Sequence, residues 1–403
     1  MAQATITAVR ARRVLNSHLD WTLETTIELA DGRSGRGAAP KGETPSIYEE
    51  SGRPIAGREG ELGEAVAATL VGRTVDQAGL DEILAGHRED WGAALLFALS
   101  VAFYEATLED GSSPSQAVAG VRPPRLLFNL LNAGLHAYTN PVVADVTEVL
   151  LMPRDDDLAR SIDGYRRLLD EAREVLAERP TRLVGANQVH DLGAPAGDPS
   201  VNDRALDLAR TLLDRTGLSQ AFELAIDASA GDWSVGERYT LPVSGVTMER
   251  DELVDWWLGL IARNDLRWLE DPFAETDRQG WRLLHDRRPE ACRILGDNLT
   301  STLPDQLALK APLVDGVLLK PDQNGTVSGS RAFAALARER GLALITSHRS
   351  IETDSPFLVH LSREIGADAI KVGPYSDFSS VMRSNELLRT TPGVVAPLGV
   401  AAA

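Results

Sequence analysis

Six short apolar runs in the C-terminal half of the chain each stop on a residue that can bind a metal or move a proton. FELAID ends at Asp227, LRWLED runs through Glu270 and CRILGD ends at Asp297. VDGVLLK ends at Lys320, LALITSH ends at His348 and ADAIK ends at Lys371. Runs this short, bounded by polar residues, read as buried strands. From Glu270 onward the polar endings recur every 23 to 28 residues, the length of a strand, a loop and a helix. The rhythm predicts an α/β fold in which parallel strands close into a (β/α) barrel, their C-terminal ends meeting at one mouth.

The N-terminal part follows another pattern. TITAVRARRVL and WTLETTIELADG alternate apolar and polar positions, predicting strands over 5–30 with a turn at Asp31-Gly32. GRGAAPKGETPSIYE, residues 35–49, is rich in Gly, Pro and hydroxyl side chains and reads as a loop. Residues 60–110 read as helical, and WGAALLFALSVAFYEATLED is apolar on nearly every side, which predicts a buried helix. Turn formers between Gly111 and Pro124 mark a domain boundary, after which LLFNLLNAG opens the second domain. Asp157 to Arg179 reads as an amphipathic helix, with Leu158, Ile162, Tyr165, Leu168, Ala172, Val175 and Leu176 along one face. Strand–helix alternation lasts to about Arg389, and TTPGVVAPLGVAAA lacks periodicity. The expected division is an α+β domain over 1–120, the barrel over 121–390 and a frayed tail over 391–403.

Composition narrows the function. The chain has 403 residues, a formal net charge of −18 and 43% hydrophobic residues. That charge argues against a nucleic-acid partner but leaves room for a small anion held by a local cationic cluster. No run of about 18 uncharged apolar residues is present, so no membrane span is expected, and MAQATITAVRARR lacks a signal-peptide core. A single cysteine, Cys292, fits a reducing, cytoplasmic setting, and its place in an apolar run suits the core better than a nucleophile.

Three carboxylates at one mouth, Asp227, Glu270 and Asp297, repel one another unless a cation neutralises them. Hard oxygen ligands without cysteine favour Mg²⁺. The competing reading makes each acid the cap of the helix after its strand. Lys320 and Lys371 end strands too. A lysine beside a metal and a second cation is expected to have a depressed pKa and to serve as a base. The tetrapeptide SHRS puts His348, Arg349 and Ser350 where a strand becomes a loop, and Arg349 with Ser350 suits a phosphate or phosphonate.

LEDPF, LGDNLT, LLKPDQNG, SHRSIETDSPF and AIKVGP, in this order, resemble the motifs of the enolase family. FNLLNAGLHA, TEVLLMP, LAIDASA, VLNSHLDWTLE and AAPKGETPSIYE extend the resemblance over roughly residues 5–390. It implies an enolase-type (β/α)8 barrel preceded by an α+β capping domain that carries a mobile active-site loop. It implies Asp227, Glu270 and Asp297 as Mg²⁺ ligands, Lys320 as the base for the α-proton, and Lys371 as the contact to the substrate carboxylate and enolate. By the same resemblance Arg349 and Ser350 touch the phosphate, His348 is the active-site histidine and His136 sits on a closing loop. Glu148 is one of two glutamates at the leaving hydroxyl, and Thr44 stands where a serine would bind a second Mg²⁺ during turnover.

The departures cluster in the loops. VGANQVHD replaces the family's VGDEGG and puts Asn187 where the second leaving-group glutamate belongs, so Glu148 acts alone or Asp191 or His190 takes over. KGETP replaces SGAST, adding Lys41 and Glu43, and His136 and Glu148 are twelve positions apart against nine in the family. The expectation is a Mg²⁺-dependent dehydratase acting on a small anionic phospho- or phosphono-glycerate. 2-Phosphonoformylglycerate, giving carboxyphosphonoenolpyruvate, is favoured, with Lys41 among the substrate contacts. 2-Phosphoglycerate is the alternative, and a non-catalytic enolase-like binding protein is the alternative from another class. The resemblance implies a homodimer or higher homo-oligomer, and the short C-terminus bears on that interface.

Overall fold

The computed structural model describes residues 3–42, 45–49, 59–108, 121–132, 144–177, 200–236, 238–375 and 378–391. Thr44, Glu43, His136, Asn187, His190, Asp191 and the tail beyond 391 lie outside the described residues, as does most of the stretch holding the expected domain boundary.

The first strands, β1 (Ala4–Leu15) and β2 (Trp21–Leu29), pair antiparallel with Leu15 opposite Trp21. β3 (Ser34–Ala38) continues the sheet beyond β2, and β4 (Thr74–Val75) closes its other edge in the order β3-β2-β1-β4. Helices α1 (Glu59–Leu70), α2 (Gln77–Ala85) and α3 (Arg88–Ala106) accompany it. The turn joining β2 to β3 is the expected one, with Gly32 at φ 87°. β3 corrects the sequence reading, which took Gly35–Ala38 as loop. Its glycines serve packing, because a Cβ on Gly35 or Gly37 would overlap the α3 main chain. Glycine here marks a strand pressed directly onto a helix.

The all-round apolar character of α3 has a structural cause. Leu95, Leu96, Leu99, Ala102 and Phe103 join Ile6, Ile27 and Leu29 in the core under the sheet. Phe97, Val101 and Tyr104 belong to the barrel core. The helix is clamped between two layers, and each large side chain it buries is worth about 1.5–3 kcal/mol. Polar contacts fix the same junction. Ser100 Oγ accepts from Val327 N at 2.9 Å, and Asp81 accepts from Ser328 N at 2.8 Å. Arg88 donates to the carbonyls of Gln323 and Asn324.

The second layer is a closed eight-stranded barrel. Its strands begin with β5 (Arg125–Asn132), β6 (Glu148–Pro153) and β7 (Phe222–Asp227). Helices α4 (Leu158–Ala177) and α5 (Val201–Thr216) lie between β6 and β7. Short strands β8 (Ser234–Val235), β9 (Arg238–Thr240) and β10 (Thr247–Glu249) form a separate antiparallel sheet. Regular alternation follows: α6 (Arg250–Asn264), β11 (Trp268–Glu270), α7 (Arg278–Arg287), β12 (Arg293–Gly296) and α8 (Pro304–Lys310). β13 (Gly316–Leu319), α9 (Pro321–Asn324), α10 (Val327–Glu339) and β14 (Ala343–Ser347) continue it. α11 (Phe357–Glu364), β15 (Ala369–Lys371) and α12 (Phe378–Thr390) complete the chain's regular elements.

One strand departs from the expected all-parallel arrangement. β6 runs antiparallel to both β5 and β7, and every other neighbouring pair is parallel. The reversal matters for the site, because the end of β6 that meets the mouth is its N-terminal end, Glu148. Among the described residues no helix is long and apolar enough to cross a membrane.

Candidate active site

Strand register assembles the mouth. Glu148 stands opposite Asp227, and Asp227 opposite Glu270, so three carboxylates sit side by side on β6, β7 and β11, with adjacent strands roughly 4.8 Å apart. Asp297, Lys320 and His348 each follow the last residue of a strand, β12, β13 and β14, and Lys371 ends β15. Between them lies a cavity of about 50 Å³ lined by Glu148, Asp227, Asp297, Lys320, His348, Arg349, Ser350 and Lys371.

The charges inside pair across strands. Lys371 Nζ lies 2.6 Å from Glu148 Oε2, 2.9 Å from Asp227 Oδ2 and 3.2 Å from Glu270. Lys320 pairs with Asp297. Asn129 donates to Glu148 Oε1 at 2.7 Å, orienting that carboxylate from β5. Asp271 sits in the left-handed region at φ 44° and accepts from the backbone of Asp297 and Asn298 at 2.9 and 2.7 Å. Ser229, Ser301 and Thr302 adopt left-handed conformations in the same set of loops. Non-glycine residues held there cost about 1–3 kcal/mol each and gather where function demands the geometry.

Burial and excess negative charge shift the site's protonation. Burial raises Glu270 well above the ordinary carboxylate range, with Asp227 adding to it and Lys371 opposing. Asp271 is raised in the same way, by burial and then by Asp297. Burial holds His348 neutral, pushing its pKa well below the usual value, with Arg383 and Lys371 reinforcing it. The lysines overturn the expected depression. Burial pulls Lys320 down, but Asp297 outweighs it and the net shift is upward. Lys371 is raised well above its ordinary value because Asp227, Glu148 and Glu270 together outweigh its burial. The expectation weighed neighbouring cations, whereas the carboxylates nearest each ammonium decide the sign.

Among the described residues no three or more His, Cys, Asp or Glu side chains are arranged as a metal cage. Lysine ammonium groups lie among the carboxylates instead. The donor set nevertheless suits a hard cation: it is all oxygen, it carries surplus negative charge, and Asp297 Oδ1 is buried without a hydrogen-bond partner.

A second group of contacts holds Arg349, and sequence reasoning missed it. Its guanidinium meets Asp322 at 2.7 Å and Glu49 at 2.9 Å. Gln323 donates to Glu49 at 2.8 Å. The Arg349 amide donates to Glu352, which also pairs with Arg383 at 2.5 Å. Burial pushes Asp322 up to about 6, against the pull of Arg349. Tyr48 and Ser46 anchor the Glu49 segment: Lys310 Nζ donates to Tyr48 Oη at 2.9 Å, and Ser46 Oγ lies 3.2 Å from the Asn298 carbonyl. Gly42 is forced by the same approach, since a Cβ there would collide with the Arg349 guanidinium. Asp322 was visible in PDQN directly after Lys320, and Asp271 in LEDP directly after Glu270. Lys41 joins the mouth through its main chain, bridging Ile351 at 2.9 and 3.0 Å, while its side chain is exposed. Cys292 is fully buried, as its apolar run suggested.

Comparison with known proteins agrees with this architecture. The profile of the enolase C-terminal TIM barrel domain matches residues 122–396. The chain is similar to the enolase of Rubrobacter xylanophilus, 30% identical over 412 aligned positions that cover 95% of this chain and 94% of that protein. The enolase of Natranaerobius thermophilus is 28% identical over 409 positions with the same coverage.

Proposed function

Because the chain belongs to the enolase family and is a carbon–oxygen lyase of the hydro-lyase type, we propose that its mouth removes the C2 proton of a glycerate carrying a phosphoryl-like group and expels the C3 hydroxyl. The retained cluster of Asp227, Glu270, Asp297, Lys320 and Lys371 favours catalysis over the non-catalytic enolase-like reading. The observation that supports the proposal best is the shared cavity, where two lysines, carboxylates from neighbouring strands, a neutral histidine and Arg349 line one small space.

In this reading Lys320 is the base. Asp297 holds its proton, so drawing Asp297's charge elsewhere is what frees the amine to accept the C2 proton. Lys371 faces the developing enolate, with Ser350 and Arg349 toward the phosphoryl-like group. Glu148, steadied by Asn129, protonates the departing hydroxyl. His348 is a neutral hydrogen-bonding group beside them. Asp227, Glu270 and Asp297 are the Mg²⁺ ligands, with Thr44 for a second ion. A bound magnesium ion would supply positive charge opposite the substrate carboxylate. His136 and Lys41 complete the proposed contacts from the loops, and a homodimer is the proposed assembly.

The favoured substrate is 2-phosphonoformylglycerate, giving carboxyphosphonoenolpyruvate. Support comes from the changes at Lys41, Glu43 and Asn187, which fall in substrate-closing loops while the base and acid positions persist. The relatives named enolase favour a second reading, 2-phosphoglycerate. Each compound is to be incubated with enzyme and Mg²⁺ while the enol product is followed by absorbance and phosphorus NMR. Preferential turnover of the phosphonoformyl compound supports the first reading, and turnover of 2-phosphoglycerate alone supports the second. Consumption of neither rejects both.

A further inference from the structure

The opposite end of the barrel has its own chemistry. Strand N-termini meet there, and the sequence places arginines at or just before several of them. Arg125 opens β5, Arg293 opens β12, and Arg338 and Arg340 lie at the end of α10 just ahead of β14. All four line a cavity of about 580 Å³. Its inner wall includes the buried side chains Met152, Trp268 and Ile345 from the barrel interior.

Two carboxylates line it, and both are engaged. Asp368 pairs with Arg338 at 3.0 Å and accepts from Leu344 N at 2.8 Å. Asp315 pairs with Arg288, lies 3.3 Å from His285 and accepts from Ile294 N at 2.8 Å. The Arg125 guanidinium donates to the Pro153 carbonyl at 3.0 Å. Arg293 stacks over Trp268 at 4.9 Å. Among the described residues Arg125, Arg293 and Arg340 have no carboxylate partner. Three such guanidiniums line one hollow and make it locally cationic in a chain of net charge −18. Guanidinium is the side chain best shaped to take phosphate through two hydrogen bonds.

Size selects the class of anion. A cavity of this volume falls in the range of small-molecule sites, about 300–1,000 Å³, far more than one inorganic phosphate fills. We propose that the barrel floor binds an organic phosphate of mononucleotide size, its phosphate toward Arg125, Arg293 and Arg340. The site is separate from the mouth and does not depend on the chemistry proposed there.

AMP is the probe, titrated into the full chain without Mg²⁺ by calorimetry at low salt, beside adenosine and inorganic phosphate. One AMP is expected per chain, with adenosine and inorganic phosphate each binding at least about tenfold more weakly. Arg293→Ala and Arg340→Ala, at exposed positions, should each weaken AMP about tenfold, the worth of one charge-assisted contact. Arg349→Ala, at the mouth, should leave AMP affinity unchanged. Absence of AMP binding at millimolar concentration overturns the proposal. So does AMP binding that Arg349→Ala abolishes and the floor variants retain. Inorganic phosphate binding as tightly as AMP overturns the organic body.

Discussion

The mouth and the floor of this barrel are opposite ends of the same eight strands, and they are charged in opposite senses. At the mouth Glu148, Asp227, Glu270 and Asp297 outnumber Lys320 and Lys371, all of them largely withdrawn from water. At the floor Arg125, Arg293, Arg338 and Arg340 outnumber Asp315 and Asp368 around a hollow open to solvent. The mouth's charges pair across strands in a confined space, where burial moves proton affinities far from their ordinary values. Floor charges sit at the rim, where water screens them. Unbalanced charge becomes chemically useful where it is buried, and an adhesive surface where it is not.

Changes at the mouth should therefore have large effects. Lys320→Ala should lower turnover on the order of 10²–10⁴-fold, the range for loss of a general base, with far-UV circular dichroism unchanged. Turnover within tenfold of wild type would remove Lys320 from the base role. Next in size is the cation. Chelation with EDTA should abolish activity and lower Tm, and added Mg²⁺ should restore both, whereas Asp297→Asn should blunt the Mg²⁺-dependent rise in Tm. Indifference of both Tm and activity to chelator would show that lysines alone balance these carboxylates.

Smaller effects come from the Arg349 lock. Glu49 occupies one arm of the guanidinium that the substrate anion is proposed to use, so Glu49→Gln should lower KM about tenfold, one charge-assisted hydrogen bond, with little change in kcat. A raised KM would show that Glu49 orients Arg349 for substrate. Asp322 supplies a pH test. Its carboxyl is raised from 3.8 to about 6 in the fold by burial, so the folded state binds more protons between those values. Its contribution to stability is full below the lower value and lost as pH rises through the higher one. The unfolding free energy of Asp322→Asn relative to wild type should climb between about pH 4 and 6, by an amount on the order of 3 kcal/mol. A flat difference would place the Asp322 pKa at its ordinary value. The smallest effect belongs at the floor end of β12, where burial pushes the Cys292 thiol up to about 12. Thiol reagents at pH 8 should leave it unmodified until the chain is unfolded, and rapid labelling of the native protein would mean this part of the barrel opens readily.

Much of the mouth was legible because strands ending in polar residues leave a mark that one sequence displays. Asp227, Glu270, Asp297, Lys320, His348 and Lys371 could be placed together from the β/α rhythm alone. Direction leaves no such mark. EVLLMP reads the same whether its strand runs with its neighbours or against them, so the reversal of β6 became visible only in the register of Glu148 with Asp227. Gly35 and Gly37 read as loop because the sequence does not display the helix they press against. The Glu49–Arg349 pair joins residues 300 positions apart and depends on how the N-terminal domain docks through α3. The direction of the lysine shifts was missed because it is a sum over neighbours, set by which carboxylates fall within a few ångströms.

Exchange of the C2 hydrogen with deuterated solvent, followed by proton NMR for wild type and Lys320→Ala in the presence of Mg²⁺ and the substrate that wild type turns over, tests the reading of the mouth most directly. Wild type should exchange the hydrogen at a rate at least equal to turnover. The variant should show none while keeping its Mg²⁺-dependent rise in Tm. Exchange at the wild-type rate in Lys320→Ala would contradict the account.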